Sequence, residues 1–295
     1  MNLSLSRSFP IAKAALTGAV IACAVALTCS LTGCASVGTD SSSADADNTS
    51  ASTDGKTLRV AMELAYPPFE TKDDAGNPEG LAVDFIRDFG AAYGYDVQIE
   101  NTAWDGLIPS LQSDKADLVI SSMTITDERK QSVDFSDAYA MAQLAILANA
   151  DSGVASIDDL NQPGKKVAVK TGSTGDVYAT KNLTNAEIVR LADESACVTE
   201  VVQGKADGFL YDQLTIYRNH QANPDTTEAV FIPFQDAEEW GIAVKKGNTE
   251  LLNQLNAFIA QSKTDGEFDR LTEKYLSEEK KAFDQYGFKW FFDFE

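Results

Sequence analysis

The sequence predicts an α/β fold with two similar lobes. Three observations predict it: short apolar runs alternate with helical stretches, this series runs twice, around 57–140 and 144–235, and the length allows two domains. Of the 295 residues, 44% are hydrophobic and 23% are charged, a composition typical of a chain that buries a core. Because ligands of open α/β sheets bind at the carboxyl ends of the strands, we expect the site in the cleft between the lobes.

Eight short apolar runs from Lys56 onward predict strands. Their bounds are 57–62, 95–100, 117–120, 144–149, 166–169, 187–191, 208–210 and 241–244. Four stretches between them space apolar residues three and four apart, which predicts amphipathic helices over 81–94, 105–113, 175–183 and 195–204. The stretch 248–276 predicts two further helices, interrupted at Asp265-Gly266.

The N-terminus predicts an export signal. Residues 1–13 contain Arg7 and Lys13 and no acid, and residues 14–28 form an apolar run too short to span a bilayer as a helix. The following Leu31-Thr32-Gly33-Cys34 resembles the bacterial lipobox, in which the cysteine is lipidated. We therefore expect a lipoprotein signal peptide over 1–33, lipidation at Cys34 and a disordered tether over 34–55. An uncleaved anchor is the alternative, and both place the folded body outside the cytoplasm.

Charge and histidine content exclude several function classes. The chain has 24 basic and 45 acidic residues, a formal net charge of −21, whereas nucleic-acid binding requires clustered Lys and Arg. The single histidine, His220, excludes the usual zinc sites and leaves one possible histidine base for a nucleophile. We expect no nucleic-acid partner, no metal site and no cofactor.

Seven segments of the chain share the pattern of one protein family. They are LRVAMELAYPPFE (58–70), EGLAVDF (79–85), WDGLIPSLQSDKADLVISSMTITDERK (104–130), VDFSDAY (133–139), KKVAVKTGSTGD (165–176), GKADGFLYD (204–212) and GIAVKKGN (241–248). In this order and spacing they resemble the extracytoplasmic solute-binding proteins of polar amino-acid ABC importers, the bacterial solute-binding protein family 3. EGLAVD departs from the family, which more often has Gly-Phe-Asp there, at a position that looks like helix packing.

The resemblance implies a type II periplasmic-binding-protein-like fold. Each lobe would be a mainly parallel sheet flanked by helices, with lobe 1 over 56–141, lobe 2 over 142–237 and a return to lobe 1 over 238–295. Two hinge crossings are expected near 140–145 and 235–241, where a few residues absorb the rotation of rigid lobes. The last fifteen residues contain seven aromatic residues and do not resemble the family's ending. They form either a tail packed on its own lobe or a partner surface.

Arg129 is the candidate clamp for the carboxylate of an amino acid. A guanidinium offers two coplanar donors that match two carboxylate oxygens, which a lysine cannot reproduce. Arg129 follows a predicted strand, and we expect it in the first turn of a helix capped by Thr126. The resemblance places the family's clamp arginine at this position.

The resemblance also implies further contacts to the charged groups of the ligand. Ser173 and Thr174 lie in a GSTG turn before a predicted helix, where backbone N–H groups and hydroxyls can meet the same carboxylate. Asp212 would bind the ammonium, with help from Ser122 and Thr124. A helix N-cap is the alternative role of Asp212.

The pocket for the ligand side chain is predicted from three residues. Tyr66 and Trp104 offer flat apolar faces or cation–π contacts, and Glu63 stands where the family commonly has an acid. A buried carboxylate there favours a cationic or polar ligand and repels acidic ones. Lysine, arginine or ornithine therefore lead narrowly over cystine and glutamine. A rim carboxylate that faces water is the alternative role of Glu63.

Together these features predict a lipid-anchored, monomeric binding protein on the extracytoplasmic face of the cell membrane. It would capture a free amino acid and deliver it to the permease of an ABC importer. An enzyme on the same scaffold, such as a dehydratase or a cell-wall lyase, is disfavoured because His220 lies outside the motifs. A sensor that docks to another protein is the third hypothesis.

Overall fold

Two five-stranded sheets form the framework of the protein. The structure, a computed structural model, describes residues 56–286 and 289–294. The predicted signal peptide, the lipidation site Cys34 and the tether up to residue 55 lie outside the described residues.

The helices and strands follow one another in three parts of the chain. The first part forms β1 (Lys56–Met62), the hairpin β2 (Thr71–Lys72) and β3 (Pro78–Glu79), α1 (Leu81–Tyr93), β4 (Tyr95–Asn101), α2 (Leu107–Gln112), β5 (Leu118–Val119) and β6 (Val133–Phe135). The second forms β7 (Ala140–Ala142), β8 (Leu144–Asn149), α3 (Ile157–Leu160), β9 (Lys166–Lys170), α4 (Thr174–Asn182), β10 (Glu187–Leu191), α5 (Glu194–Val202), β11 (Gly208–Asp212), α6 (Gln213–Ala222), β12 (Thr227–Val230) and β13 (Glu238–Trp240). The third forms β14 (Ala243–Lys245), α7 (Thr249–Ser262), α8 (Glu267–Tyr275) and α9 (Ser277–Tyr286). Single 3₁₀ turns lie at Trp104–Gly106 and Arg129–Gln131.

Each sheet defines one lobe. The sheet of lobe 1 has the strand order β4-β1-β5-β14-β6, and that of lobe 2 has the order β10-β9-β11-β8-β12. Four strands in each sheet run in one direction, and only β14 in lobe 1 and β8 in lobe 2 run in the opposite direction. Each reversed strand is the one that the chain enters after crossing between the lobes. The predicted α/β class with mainly parallel sheets is confirmed.

The two crossings form a small sheet of their own. Strand β7 pairs antiparallel with β13, with Ala142 opposite Glu238 and Ala140 opposite Trp240. Both strands lie within the segments that the sequence predicts as the hinge. The chain therefore passes between the lobes through two hydrogen-bonded strands, which can bend together when the lobes rotate.

Helix α1 illustrates how the sequence determines an element. Leu81, Phe85 and Phe89 repeat every four residues, and all three are buried in the core of lobe 1. The helix ends at Gly94, whose φ of 74° lies in the left-handed region and whose N–H donates to the carbonyl of Gly90. A glycine adopts this conformation without the strain that a Cβ would cause.

The aromatic C-terminal tail packs over the hinge. Phe283, Trp290 and Phe291 are buried. The ring centroid of Phe291 lies 5.5 Å from that of Trp240 in β13, and the carbonyl of Phe291 accepts a hydrogen bond of 2.7 Å from the N–H of Met141 in β7. In the part of the chain that the structure describes, the tail therefore covers this protein's own body, which favours the first of the two interpretations.

Helix α9, which leads into the tail, also reaches lobe 2. Arg218 Nε in α6 lies 3.5 Å from Glu279 Oε1 in α9, and Arg218 Nη1 donates to the carbonyl of Pro67 in lobe 1 at 2.7 Å. The end of the chain therefore contacts both lobes and both hinge strands. None of the helices within the described residues is long and apolar enough to cross a membrane.

Candidate functional site

A cavity between the lobes contains all nine side chains that the sequence singles out for ligand binding. Glu63, Tyr66, Trp104, Ser122, Thr124 and Arg129 line it from lobe 1, and Ser173, Thr174 and Asp212 line it from lobe 2. Residues that sequence reasoning missed complete the lining: Glu70, Ser121, Ala142, Leu144, Glu194, Tyr211, Glu238 and Trp240. Lys170 ends β9 beside them and forms ion pairs with two of the lining acids.

Arg129 reaches from lobe 1 to lobe 2. Its Nη1 donates to the carbonyl of Thr124 at 2.7 Å, and its Nη2 donates to the carbonyl of Gly172 at 3.1 Å. The guanidinium carbon lies 5.2 Å from the ring centroid of Trp104, which holds the planar group over an aromatic face. Burial lowers the pKa of Arg129, and the negative charge of Glu238 acts in the opposite direction. An arginine stays charged in either case, so the site retains a fixed cation.

A short local motif positions Arg129. The Arg129 N–H donates to Thr126 Oγ1 at 3.1 Å, but the segment is a single 3₁₀ turn whose N-cap is Glu128, not a helix capped by Thr126.

Helix α4 of lobe 2 begins at the cavity. Ser173 is its N-cap and accepts a hydrogen bond from the Asp176 N–H at 3.2 Å, and Thr174 is its first residue. A Cβ at Gly175 would lie 2.4 Å from the Leu210 carbonyl oxygen, so glycine allows α4 to approach β11 closely. The positive end of the α4 dipole therefore lies next to the cavity, where it favours an anion.

Asp212 caps a helix and also has a free acceptor. Its Oδ1 accepts from the N–H groups of Leu214 and Thr215 at 2.9 and 3.1 Å, so the alternative of an N-cap is present in the structure. Its Oδ2 and the hydroxyl of Tyr66 are buried and form no hydrogen bond of good geometry among the described residues, although the Tyr66 hydroxyl is close enough to lower the pKa of Asp212. Burial raises the pKa of Asp212, while the hydrogen bonds to its carboxyl lower it. An unpartnered buried acceptor is costly, and a bound donor would remove that cost.

A buried lysine lies between two carboxylates that line the cavity. Lys170 is 2% exposed, pairs with Glu63 of lobe 1 across the cleft and with Glu194 of lobe 2 at 3.0 Å, and lies 5.1 Å from the Trp104 ring centroid. Burial lowers the pKa of Lys170, but the two carboxylates outweigh burial and raise it above its ordinary value. Lysine is therefore charged here, and Glu63 is an ion-pair partner rather than a rim carboxylate facing water.

Glu70 is a further acid in the lining of the cavity, and it is 1% exposed. Its Oε2 accepts from Ser122 Oγ at 3.2 Å, and Ser122 has a φ of 46°, a left-handed conformation that is strained for a residue with a Cβ. Burial raises the pKa of Glu70 well above its ordinary value, and the Ser122 hydrogen bond opposes this only partly. Strained backbone beside a perturbed acid is typical of functional sites.

Glu70→Gln is expected to stabilise the protein at neutral pH. Above the ordinary pKa of a glutamate, about 4.3, native Glu70 retains a proton that the unfolded chain has lost, so stability falls as the pH rises through this window. The neutral amide removes this loss, so we expect Glu70→Gln to have a higher free energy of unfolding than wild type at pH 7. Urea unfolding at pH 4 and pH 7 measures it, and the gain should be absent at pH 4. The exposed Glu79→Gln serves as the control; equal effects of Glu70→Gln at both pH values would contradict the prediction.

The missed residues carry weak sequence signals. Lys170 ends an apolar strand and is separated from the GSTG turn by one residue, and a lysine at that edge of a sheet could have been assigned to the cleft. Glu194 and Glu238 stand in acidic stretches that read as solvated surface. Glu194 and Glu238 reach the cavity because of the way the strands and helices pack together. The local sequence pattern does not predict this packing.

Comparison with known proteins identifies the family. Residues 58–278 match the sequence model of the bacterial extracellular solute-binding proteins, family 3. The chain belongs to this family. The predicted family is confirmed, and it is a family of extracellular proteins. The matched region ends before most of α9 and the aromatic tail.

Similar relatives and solved structures of this family are binding proteins. A probable histidine-binding protein of Neisseria gonorrhoeae is 35% identical over 87% of this chain and 95% of its own length. An L-arginine-binding protein of Pseudomonas aeruginosa is 34% identical over 79% of this chain and 90% of its own length. The crystal structure of an ancestral amino acid-binding protein, a precursor of cyclohexadienyl dehydratase, has 38% identity and a TM-score of 0.68, with 74% of this chain and 94% of that chain covered.

Proposed function

We propose that this family 3 member captures a free amino acid and delivers it to the permease of an ABC importer. The observation that carries the proposal is one cavity with a fixed guanidinium from lobe 1 and an unpartnered buried carboxylate oxygen from lobe 2. A zwitterion needs an opposite charge at each end when water is excluded. The relatives are named as amino-acid-binding proteins, which supports a binding function rather than an enzyme.

The carboxylate of the ligand would bind at Arg129. Its guanidinium provides the charge from lobe 1, and the first turn of α4 with the Thr174 hydroxyl provides donors from lobe 2. Because the two halves of this subsite come from different lobes, binding would favour the closed arrangement of the hinge.

The ammonium of the ligand would bind at Asp212. The free Oδ2 is an acceptor that the helix cap does not use. Three N–H donors of an ammonium could satisfy Oδ2 together with a hydroxyl from Thr124 or Ser122, both of which line the cavity. The cap role and the ligand role use different oxygens of one carboxylate, so they do not exclude each other.

The ligand side chain would extend toward Lys170, Glu63 and Glu194. Two carboxylates with one lysine leave this end of the cavity acidic, so we propose a basic or neutral polar side chain and the exclusion of aspartate and glutamate. Tyr66 and Trp104 would cover its methylenes. The pairing of Glu63 with Lys170 keeps neutral polar ligands such as glutamine as candidates beside arginine, lysine, ornithine and histidine.

A ligand screen tests this proposal. The purified chain, freed of ligand by unfolding and refolding, is heated with each of the twenty amino acids, ornithine, citrulline and cystine. Binding to the native state raises the unfolding midpoint. We expect a rise with one or more basic or neutral polar amino acids and none with aspartate or glutamate. A rise confined to acidic amino acids would contradict the pocket assignment, and no rise with any would contradict amino-acid capture.

The same samples test the enzyme alternative. His220, the one histidine, contacts Thr227 at 3.3 Å and is not among the residues that line the cavity. We expect mass spectrometry to find the bound amino acid chemically unchanged after long incubation. A converted product would favour a dehydratase or lyase over a binding protein.

We also propose that Cys34 carries a lipid that anchors the protein to the outer face of the membrane. The support is the lipobox-like sequence that ends at Cys34. Labelled palmitate should enter the wild-type protein, and detergent phase separation should place it in the detergent phase. Cys34→Ser should lose both properties; incorporation that persists in this variant would overturn the assignment.

A further inference from the structure

Glu238 connects the two lobes inside the cavity. Its Oε2 accepts hydrogen bonds from Thr124 Oγ1 of lobe 1 at 2.9 Å and from Thr174 Oγ1 of lobe 2 at 2.7 Å. Its Oε1 accepts from Gln235 Nε2 at 2.7 Å. One carboxylate oxygen therefore forms a bridge across the cleft, and the second oxygen is held by the segment before the hinge strand.

The bridge involves residues that, in the proposed function, bind the carboxylate of the ligand. Thr174 and Arg129 form the proposed subsite for the ligand carboxylate, and Glu238 already places a negative charge near Arg129. A threonine hydroxyl has one proton to donate, so Thr174 cannot donate to Glu238 and to a second carboxylate at once. Two carboxylates at one guanidinium also repel each other.

The position of Glu238 allows its side chain to leave without disrupting the hinge. It is the first residue of β13, where its backbone pairs with Ala142 of β7. The bridge is made only by the carboxylate, and the side chain is half-buried rather than enclosed. A change of rotamer would therefore release Thr124 and Thr174 while the strand pairing persists.

We propose that Glu238 is an internal competitor for the carboxylate subsite, which holds the lobes together and is displaced by the carboxylate of the ligand. The inference rests on the proposed function of amino-acid capture. Glu238 thereby lowers the affinity for amino acids, because part of the binding free energy replaces the bridge that is already present. It also favours the closed arrangement of the free protein.

The affinity test compares Glu238→Ala with Glu239→Ala in the full chain. Both variants remove one carboxylate from adjacent positions of β13, but Glu239 is exposed and does not line the cavity. By calorimetry with L-arginine, L-histidine and the amino acid that gives the largest midpoint rise, Glu238→Ala should bind about five- to tenfold more tightly than wild type. Glu239→Ala should stay within about twofold.

A ligand without the carboxylate sharpens the test. Agmatine is arginine without its α-carboxylate, so it does not compete with Glu238, and Glu238→Ala should not increase its affinity. Glu238→Gln keeps the size of the side chain and loses its charge, and it should show a smaller gain for arginine. It replaces Glu238→Ala if the alanine variant does not fold, as judged by its unfolding midpoint.

The effect of the bridge on the arrangement of the lobes is measured in the ligand-free protein. Small-angle scattering of the refolded, ligand-free chain should give a larger radius of gyration for Glu238→Ala than for wild type or Glu239→Ala. Lower or unchanged affinity of Glu238→Ala would overturn the inference and would assign Glu238 to the ligand's ammonium or to no ligand role. A radius of gyration of Glu238→Ala equal to that of wild type would contradict the claim that Glu238 holds the lobes together. If wild type binds no amino acid, the proposed function fails first, and the competitor role fails with it.

Discussion

Arg129→Ala is expected to weaken amino-acid binding by about thirtyfold to several thousandfold. Truncating one partner of a buried, hydrogen-bonded charge pair costs about 2–5 kcal/mol, partly because the other charge is left without a partner. Arg129 also joins the lobes through the Gly172 carbonyl, so the alanine variant loses a contact of the closed arrangement as well. Arg129→Lys should recover little affinity, because an ammonium does not form the paired geometry of a guanidinium.

Titration calorimetry measures the loss, with Lys130→Ala as the matched control. Lys130 is the next residue in the same turn and is exposed, so its replacement removes one positive charge without touching the cavity. Affinity within threefold of wild type in Arg129→Ala, after binding by wild type is established, would exclude Arg129 as the clamp. A loss of equal size in Lys130→Ala would point to long-range charge instead.

Lys170→Met is expected to lower the free energy of unfolding by about 3–5 kcal/mol, the usual cost of removing one partner from a buried ion pair. Methionine fills a similar volume but leaves Glu63 and Glu194 as neighbouring buried acids without their common cation. Burial already raises the pKa of Glu194, and loss of Lys170 raises it further. The native variant then holds a proton that the unfolded chain has lost, so its stability falls as the pH rises above about 4.3 and the defect shrinks in acid.

Urea unfolding measures this loss, and two variants make it specific. Lys166→Met alters the same strand, but Lys166 is half-exposed with Glu187 at 3.5 Å, so the cost should stay below about 1 kcal/mol. Glu63→Gln and Glu194→Gln added to Lys170→Met remove the unpaired charges and should restore most of the stability. A cost under about 1 kcal/mol for Lys170→Met alone would show that water reaches the three groups and screens them.

Much of the fold can be predicted from the sequence because its signals are local. Strands β8 and β10 have the predicted bounds, since 144–149 and 187–191 are apolar runs with clear ends. Helix α6 is not among the predicted helices, and its burial comes from packing on β8 and β12, which the local sequence does not reveal. The predicted strand at 241–244 begins later, at Ala243, because Gly241 and Ile242 belong to the crossing and bond to Met123 and Ser136.

The site was predictable only in part for a related reason. The nine predicted residues stand in motifs that resemble the family, and the structure brings all nine to one cavity. Lys170, Glu194 and Glu238 act through partners from other elements, so no local pattern predicts their roles. The pairing of Glu63 with Lys170 illustrates this, because the acid alone favours a cationic ligand and the pair also admits neutral ones.

All three tryptophans of the chain lie at the cleft between the lobes or in the tail that covers the hinge strands. Trp104 and Trp240 line the cavity, and Trp290 belongs to the tail that covers the hinge. The Trp104 ring of lobe 1 is flanked by the charged ends of Arg129, from the same lobe, and of Lys170, from lobe 2, so its distance from Lys170 depends on how the lobes are arranged. Indole emission is sensitive to nearby charge and solvent, so the unlabelled protein carries its own optical reporter of cleft occupancy, readable in real time with no added dye.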